Sequence, residues 1–280
     1  MKTSLLSDVT ARLSSISDFP ALEASVLIGH VAGVSRTWVL AHPEITLTAK
    51  QHKQLKESLT QLEHGKPFPY VLGHWEFFGF DLEVTPDVLI PRPETELLVE
   101  KAIAWLNENP ERKFIADIGT GSGAIAISLA ANVPGAELLA TDTSFKALQV
   151  AKRNAEKHNV SRSINFVECD LLPVHQADGA KIDLICANLP YIPTKNLQHL
   201  PVYRHEPAVA LDGGEDGLKL HHRLLDLAPA WLSSNGAILM EIDSTSGTSA
   251  LNLVRNILPG ATSTLHQDLA GLDRLLEIRA

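Results

Sequence analysis

Three glycines in five residues, Gly119, Gly121 and Gly123, stand between an apolar run at 114–118 and a helix-forming run at 124–132. Clustered glycine costs backbone entropy and is retained where the chain must turn sharply or let a ligand approach its backbone. A strand that enters a helix through such a loop also aims the helix N-terminal amides at that ligand. Beyond the loop the pattern alternates. Strands are expected at 137–141, 164–168, 182–187 and 236–242, and helices at 145–158 and 217–231. Alternation of this kind means an α/β fold, with a mostly parallel sheet covered by helices on both faces. Ligands of such sheets bind at the carboxyl ends of the strands.

Upstream the periodicity changes. Leu5, Leu6, Val9 and Leu13 form one helical stripe, Val26, Leu27, His30 and Val31 a second, and Leu55, Leu59 and Leu62 a third, with Pro20 and Pro43 at breaks. Residues 75–84 are aromatic and β-branched around Gly79, which predicts a hairpin. The expected organisation is a helical domain over 1–72, a hairpin linker over 73–90 and an α/β domain over 91–280. A length of 280 residues suits two domains.

Composition excludes several classes. Lys and Arg number 24 against 33 Asp and Glu, a net charge of −9, with no basic run. Nucleic-acid binding draws on cationic contacts to phosphate, so stable binding of that kind is not expected. No apolar run approaches the ~20 residues that a membrane-spanning helix needs. Asp8 and Arg12 interrupt the apolar residues near the N-terminus, so a cytoplasmic protein is expected. Cys169 and Cys186 form no CxxC, which predicts neither a disulfide nor a metal site.

Two cofactor classes fit the loop. Gly119, Gly121 and Ala124 satisfy a nicotinamide-type G-x-G-x-x-A pattern. Asp117, two residues before the glycines, favours S-adenosylmethionine instead, because a carboxylate suits a sulfonium ligand bearing an amino group and suits a pyrophosphate poorly. Thr120 and Ser122 complete the loop. Asp142, at the end of the next strand, is placed to accept both ribose hydroxyls in either class. Asp170 is a candidate for the adenine amino group, with Leu171 beside the ring.

The strand at 182–187 ends in Asn188-Leu189-Pro190-Tyr191. This tetrapeptide resembles the (D/N)PPY motif of amino-group methyltransferases. An asparagine side-chain oxygen can accept one N–H of a planar amino group, and a backbone carbonyl of the tetrapeptide the other. Pro190 stiffens the turn, and Tyr191 is expected to stack on or pack beside the planar group. The first proline of the motif is replaced here by Leu189, whose position before Pro190 already biases it to extended backbone.

With the tetrapeptide in place, the chain resembles the protein-(glutamine-N5) methyltransferases that modify peptide release factors, the HemK/PrmC family. Matching pieces occur in order. They include Pro67, Tyr70 and Gly73, then Phe77-Phe78-Gly79, 89–96, 117–123, 188–192, Glu206-Pro207, Ala210-Leu211, 213–218 and 268–273. Glu241-Ile-Asp243 departs from the usual pattern, in which a glycine follows the isoleucine, and His266-Gln-Asp268 differs slightly from the common basic form. The resemblance implies a Rossmann-like class I methyltransferase domain with a seven-stranded sheet, a helical substrate-docking domain over 1–72 and S-adenosylmethionine as cofactor. It also implies a substrate, the glutamine of the Gly-Gly-Gln tip of class-I release factors, with Asn188 and the Leu189 carbonyl orienting the amide. A monomer is expected. Rival readings are a ribosomal-protein glutamine methyltransferase, a nucleic-acid amino methyltransferase, a non-catalytic nucleotide-binding protein and a nicotinamide oxidoreductase.

Residues 193–216 form a long loop, expected to act as a partial lid over the glutamine. Arg92, Thr95 and Glu96 are expected to close the other side of the cofactor.

Overall fold

The computed structural model describes residues 4–173 and 181–280. These form two compact units, Met1–His74 and Trp75–Ala280. The hairpin expected as a linker over 73–90 therefore falls, from Trp75 on, within the second unit.

The first unit contains α1 (Leu5–Leu13), α2 (Pro20–Ala32), α3 (Arg36–Ala41), α4 (Ala49–Glu63) and α5 (Phe68–Leu72). Side-chain oxygens of Ser4, Ser35 and Thr48 cap α1, α3 and α4, and Thr48 and Gln51 form a reciprocal capping box. The stripes pack on one another: Val9 and Leu13 meet Leu27, Ile28 and Val31 and, from α4, Leu55, Leu59 and Leu62. His30, counted in the second stripe, is instead exposed and stacks on His74. Ala24 and Ile28 hold the buried face of α2 in its place.

The hairpin β1 (His74–Phe77) and β2 (Phe80–Glu83) follows, lying in the second unit from Trp75 on. Then follow α6 (Glu96–Glu108), β3 (Phe114–Ile118), α7 (Ala124–Asn132), β4 (Glu137–Asp142), α8 (Phe145–Lys157), β5 (Ile164–Glu168) and β6 (Ile182–Ala187). After these come α9 (Thr194–Leu197), α10 (Lys219–Trp231), β7 (Leu232–Glu241), α11 (Gly247–Ile257), β8 (Thr262–Gln267) and β9 (Asp273–Arg279). Seven strands form one sheet in the order β5-β4-β3-β6-β7-β9-β8, with β9 antiparallel to both neighbours. The α/β class and the mostly parallel seven-stranded sheet are as expected.

One face of the sheet, with Ile115, Leu138, Leu184 and Leu239, packs on Leu98 and Trp105 of α6, Ile127 of α7 and the hairpin's Phe77 and Leu82. The other face, with Ile118, Leu139, Ile185 and Met240, packs on Leu224 and Leu225 of α10 and Val254 of α11. The strand order reverses between β3 and β6, where the chain leaves for opposite edges.

Three details differ from the sequence reading. β7 begins at Leu232, not 236, with a register irregularity opposite Ile182 and Leu184. α11, β8 and β9 lie in a stretch for which no element was expected; β8 is an edge strand carrying Thr262, Ser263 and Thr264, so its apolar signal is weak. The segment 193–216 is not one open loop: it contains α9 and short 3-10 turns at Pro201–Arg204 and Ala208–Ala210.

Candidate active site

The glycine loop leaves β3 and hangs from β4: the amides of Gly119 and Thr120 both donate to the Thr141 carbonyl, at 2.9 and 2.8 Å. Asp117 lies fully buried beneath it. Its Oδ2 accepts from the Thr120 hydroxyl at 2.6 Å and from the Ala126 amide at 3.1 Å, while the buried Oδ1 has no partner among the described residues. Burial pushes this carboxyl up to about 6, against the pull of Thr120 and Ala126, and the neighbouring Asp142 charge adds to the rise. Gly123 has φ of 84°, and a Cβ there would stand 3.0 Å from Ile127 Cδ1 and 3.2 Å from Ala151 Cβ. That close approach seats α7 against α8. Ser122 is buried, and its carbonyl accepts from Asn154 Nδ2 at 2.9 Å.

Asp142 ends β4. Its Oδ2 accepts from the Gly121 amide at 2.9 Å and its Oδ1 from the Ser144 amide at 2.8 Å. One carboxylate thus ties the loop to the start of α8, and as an acceptor-only group at the cavity wall it suits ligand hydroxyls. Burial raises its pKa and the backbone amides oppose the rise. Asp170 is exposed and its carboxylate is taken by Arg223 at 2.7 Å. Leu171 is buried, in a left-handed conformation, and its carbonyl accepts from Thr141 Oγ1 at 2.6 Å.

These residues surround a cavity of about 580 Å³, within the usual range for a small-molecule site. Gly119, Gly121, Asp142, Asp170, Leu171, Asn188, Leu189 and Pro190 all line it. Asp117, Thr120, Ser122, Gly123 and Tyr191 do not reach the wall; they support it from behind. Two further lining segments are 87–89, to which the sequence reading gave no site role, and 207–210, within the loop it expected as a partial lid. Glu206, buried, holds them together: it accepts from the Ile90 amide at 3.1 Å and from Arg92 at 2.5 Å. An acid before a proline in a long loop, Glu206-Pro207, was the available signal.

The expectation that Arg92, Thr95 and Glu96 close the cofactor side is corrected. None of them lines the cavity. Arg92 is spent on Glu206, Glu96 accepts from the Phe78 amide at 2.9 Å, and Thr95 is buried behind Asn188.

β3 and β6 are adjacent, and Ile118 pairs with Ala187, so the glycine loop and the N-L-P-Y turn leave the sheet side by side. A Cβ on Gly119 would meet Leu189 Cδ2 at 3.4 Å, so the buried Leu189 side chain rests against the loop. Asn188 Nδ2 donates to Thr95 Oγ1 at 2.9 Å, Thr95 Oγ1 donates to Glu241 Oε2 at 2.6 Å, and the Tyr191 hydroxyl donates to Glu241 Oε1 at 3.1 Å. Tyr191 thus turns to the Glu241 carboxylate, and burial raises both its own pKa and that of Glu241. Among the described residues no cluster of His, Cys, Asp or Glu could hold a metal ion.

The donor set fits S-adenosylmethionine. The buried Asp117 carboxylate beneath the glycine loop lends negative potential to that end of the cavity, which suits a cationic amino-acid moiety and disfavours a pyrophosphate. The Asp142 carboxylate suits a ribose, and the apolar wall suits an adenine. Comparison with known proteins agrees. Residues 4–73 match the PrmC N-terminal domain, and 94–202 match the methyltransferase small domain. The chain is 38% identical over 279 residues to the release factor glutamine methyltransferase of Coxiella burnetii, covering 97% of this chain and 96% of that protein. It is 40% identical to that of Moorella thermoacetica, covering 91% and 89%. A T. thermophilus 16S rRNA N2 G1207 methyltransferase, solved with AdoMet and guanosine, shares the fold with a TM-score of 0.54 at 17% identity, covering 74% of this chain and 49% of that one. S-adenosylmethionine is therefore the cofactor, and the chain belongs to the release factor glutamine methyltransferase family.

Proposed function

We propose that this enzyme methylates the side-chain amide nitrogen, N5, of the glutamine in the Gly-Gly-Gln motif of class-I release factors. One observation carries the reading: Asn188 and Leu189, an amino-group acceptor turn, share a cavity wall with Gly119, Gly121 and Asp142. The near full-length similarity to release factor glutamine methyltransferases supports the substrate class.

S-adenosylmethionine supplies an electrophilic methyl on a sulfonium. The chain's own residues orient the acceptor. An amide nitrogen is a poor nucleophile because its lone pair is delocalised into the carbonyl. Hydrogen bonds from its two N–H groups to Asn188 Oδ1 and the Leu189 carbonyl hold it in attack geometry. The same acceptors stabilise positive charge as it grows on nitrogen. The proton leaves once the nitrogen has become acidic, and water takes it. Asp142 holds the cofactor's ribose and Asp117 favours its amino group electrostatically from beneath the loop, with Thr120, Gly121, Ser122 and Gly123 shaping the loop and Leu171 flanking the base. Asp170 serves the adenine from the cavity wall only to the extent that Arg223 leaves its carboxylate free. The segment at 207–210 covers the cavity as the lid, and the helical unit docks the release factor. The enzyme acts as a cytoplasmic monomer and makes no stable complex with nucleic acid.

The test is to incubate the protein with S-adenosylmethionine and a purified bacterial class-I release factor and map the tryptic peptides by mass spectrometry. A single methyl on the Gly-Gly-Gln glutamine, absent with Asn188→Ala, is the expected result. Methylation of a ribosomal protein or of RNA instead, with the release factor untouched, would replace this substrate.

A further inference from the structure

Asn188, Thr95 and Glu241 come from three distant parts of the chain and meet behind the cavity wall. Ala187 pairs with Met240, so Asn188 and Glu241 leave adjacent strands at the same level. Thr95, just before α6, bridges them and is buried, as is Glu241.

With Glu241 ionised, proton counting fixes the direction of every hydrogen bond in this group. Glu241 receives the Thr95 hydroxyl proton on Oε2 and the Tyr191 hydroxyl proton on Oε1. A carboxylate has no proton to return. With its single proton committed, Thr95 Oγ1 can only accept, so the atom of Asn188 that faces it must be the donor, Nδ2. Oδ1 is then left to the cavity that Asn188 lines. Among the described residues no protein group donates to Oδ1. Remove the acceptor at Glu241 and Thr95 is free to donate to Oδ1. The amide then turns over and presents N–H groups to an acceptor that itself offers N–H.

We propose that Thr95 and Glu241 are positioning residues that set the amide orientation of Asn188 and so select an acceptor presenting N–H rather than a carbonyl oxygen. This rests on the role given to Asn188 above. Nothing in the tetrapeptide itself breaks the near-symmetry between the oxygen and nitrogen of the asparagine amide; the choice is imposed from behind. The other charged groups acting on Glu241 are Glu94, which opposes its charge, and Arg274, which favours it, while His221 Nε2 meets the Glu241 backbone oxygen at 2.8 Å.

The test uses the full chain with Thr95→Val, Thr95→Ser, Glu241→Met and the Val/Met double variant. With the release factor, Thr95→Val is expected to lower kcat about tenfold or more, with KM and the S-adenosylmethionine Kd changed less than about threefold. Thr95→Ser restores kcat to within about threefold of wild type. The double variant is no more than about threefold slower than the slower single one, because both act through one asparagine. A Thr95→Val kcat within about twofold of wild type, a serine variant as slow as the valine one, or multiplicative losses would each overturn the proposal. A second readout needs no acceptor. In ¹⁵N-labelled protein the Asn188 side-chain amide, assigned by its absence in Asn188→Ala, is expected to exchange slowly with solvent. Thr95→Val speeds that exchange and Thr95→Ser restores it. Equal exchange in wild type and Thr95→Val also overturns the proposal. Failure of the wild-type enzyme to methylate the release factor would instead overturn the substrate, leaving this exchange test decisive for the positioning role.

Discussion

Asn154 and Glu83 exchange two hydrogen bonds: the Glu83 amide donates to Asn154 Oδ1 at 2.7 Å, and Asn154 Nδ2 donates to the Glu83 carbonyl at 3.0 Å. The side chain thus pairs with the end of β2 as a neighbouring strand would. Nδ2 also donates to Ser122 O at 2.9 Å, which joins the hairpin and the glycine loop through one fully buried residue of α8. Asn154→Ala leaves all three backbone groups unpaired. At 1–3 kcal/mol per unsatisfied buried group, relieved in part by water, a loss of about 3 kcal/mol is expected. Urea unfolding measures it, and hydrogen exchange at the Glu83 amide should rise in parallel. An unchanged midpoint would mean that β2 holds without this residue.

The nucleoside and acceptor ends of the cavity should separate by mutation. Asp142→Ala removes the anchor of Gly121 and Ser144 along with a ribose acceptor. Cofactor affinity should fall about tenfold or more, the equivalent of one hydrogen bond to a charged group. Asn188→Ala should leave that affinity within about threefold while cutting kcat about a hundredfold. Calorimetry with S-adenosylmethionine decides the first, and equal affinity in wild type and Asp142→Ala would remove Asp142 from the cofactor site.

Cofactor affinity should also depend on pH through Asp117. Its carboxyl titrates at about 6 in the folded protein against an ordinary 3.8. The native state therefore holds an extra proton between these values, and its stability falls as pH rises from about 4 to about 6, then levels. A cationic ligand favours the carboxylate, so binding should follow the opposite course. A carboxyl at about 6 is only about one-tenth ionised at pH 5, so affinity should rise about tenfold between pH 5 and pH 7. Asp117→Asn should bind weakly and lose this dependence. A flat profile in the wild type would dissociate Asp117 from the ligand.

Gly217 and Gly79 have nearly the same φ, 81° and 79°, and opposite surroundings. Among the described residues a Cβ on Gly79 meets nothing within 4 Å, whereas one on Gly217 would lie 2.3 Å from the Tyr191 carbonyl oxygen. Gly79→Ala should cost about 1–2 kcal/mol, the price of the left-handed backbone alone. Gly217→Ala must also displace the turn that carries Tyr191, so it should cost at least about 1 kcal/mol more and slow turnover. Thermal melting of the two variants, with kcat alongside, makes the comparison. Equal melting temperatures would show that the 213–217 turn yields freely.

What was legible in the sequence was what is local. β3, the glycine loop, α7, β5 and β6 stand where periodicity and glycine spacing put them, because a strand, a turn and a helix are each decided within a few residues. Several matched pieces also acquire a physical reason. Glu206 ties two segments, Gly213 and Gly217 press on Tyr191, and Asp268 accepts from the amides of Ala270 and Leu272 to turn β8 into β9. The illegible part is made of contacts far apart in the chain. Thr95 and Glu241 are 146 residues apart, and nothing in either neighbourhood announces the other. Glu241, an acid at the end of the buried run 237–240, was read as part of a local change. Asp170 shows the converse: the residue lines the cavity, but Arg223, 53 residues on, claims the carboxylate.

The pairing of Ile118 with Ala187 makes the gap between the two working turns a lattice constant. Adjacent strands are held about 4.8 Å apart by backbone hydrogen bonds, and no side-chain substitution can stretch that spacing. A change in what the cavity accepts therefore has to be made in the segments that hang from the strand ends, at a spacing the sheet has already set.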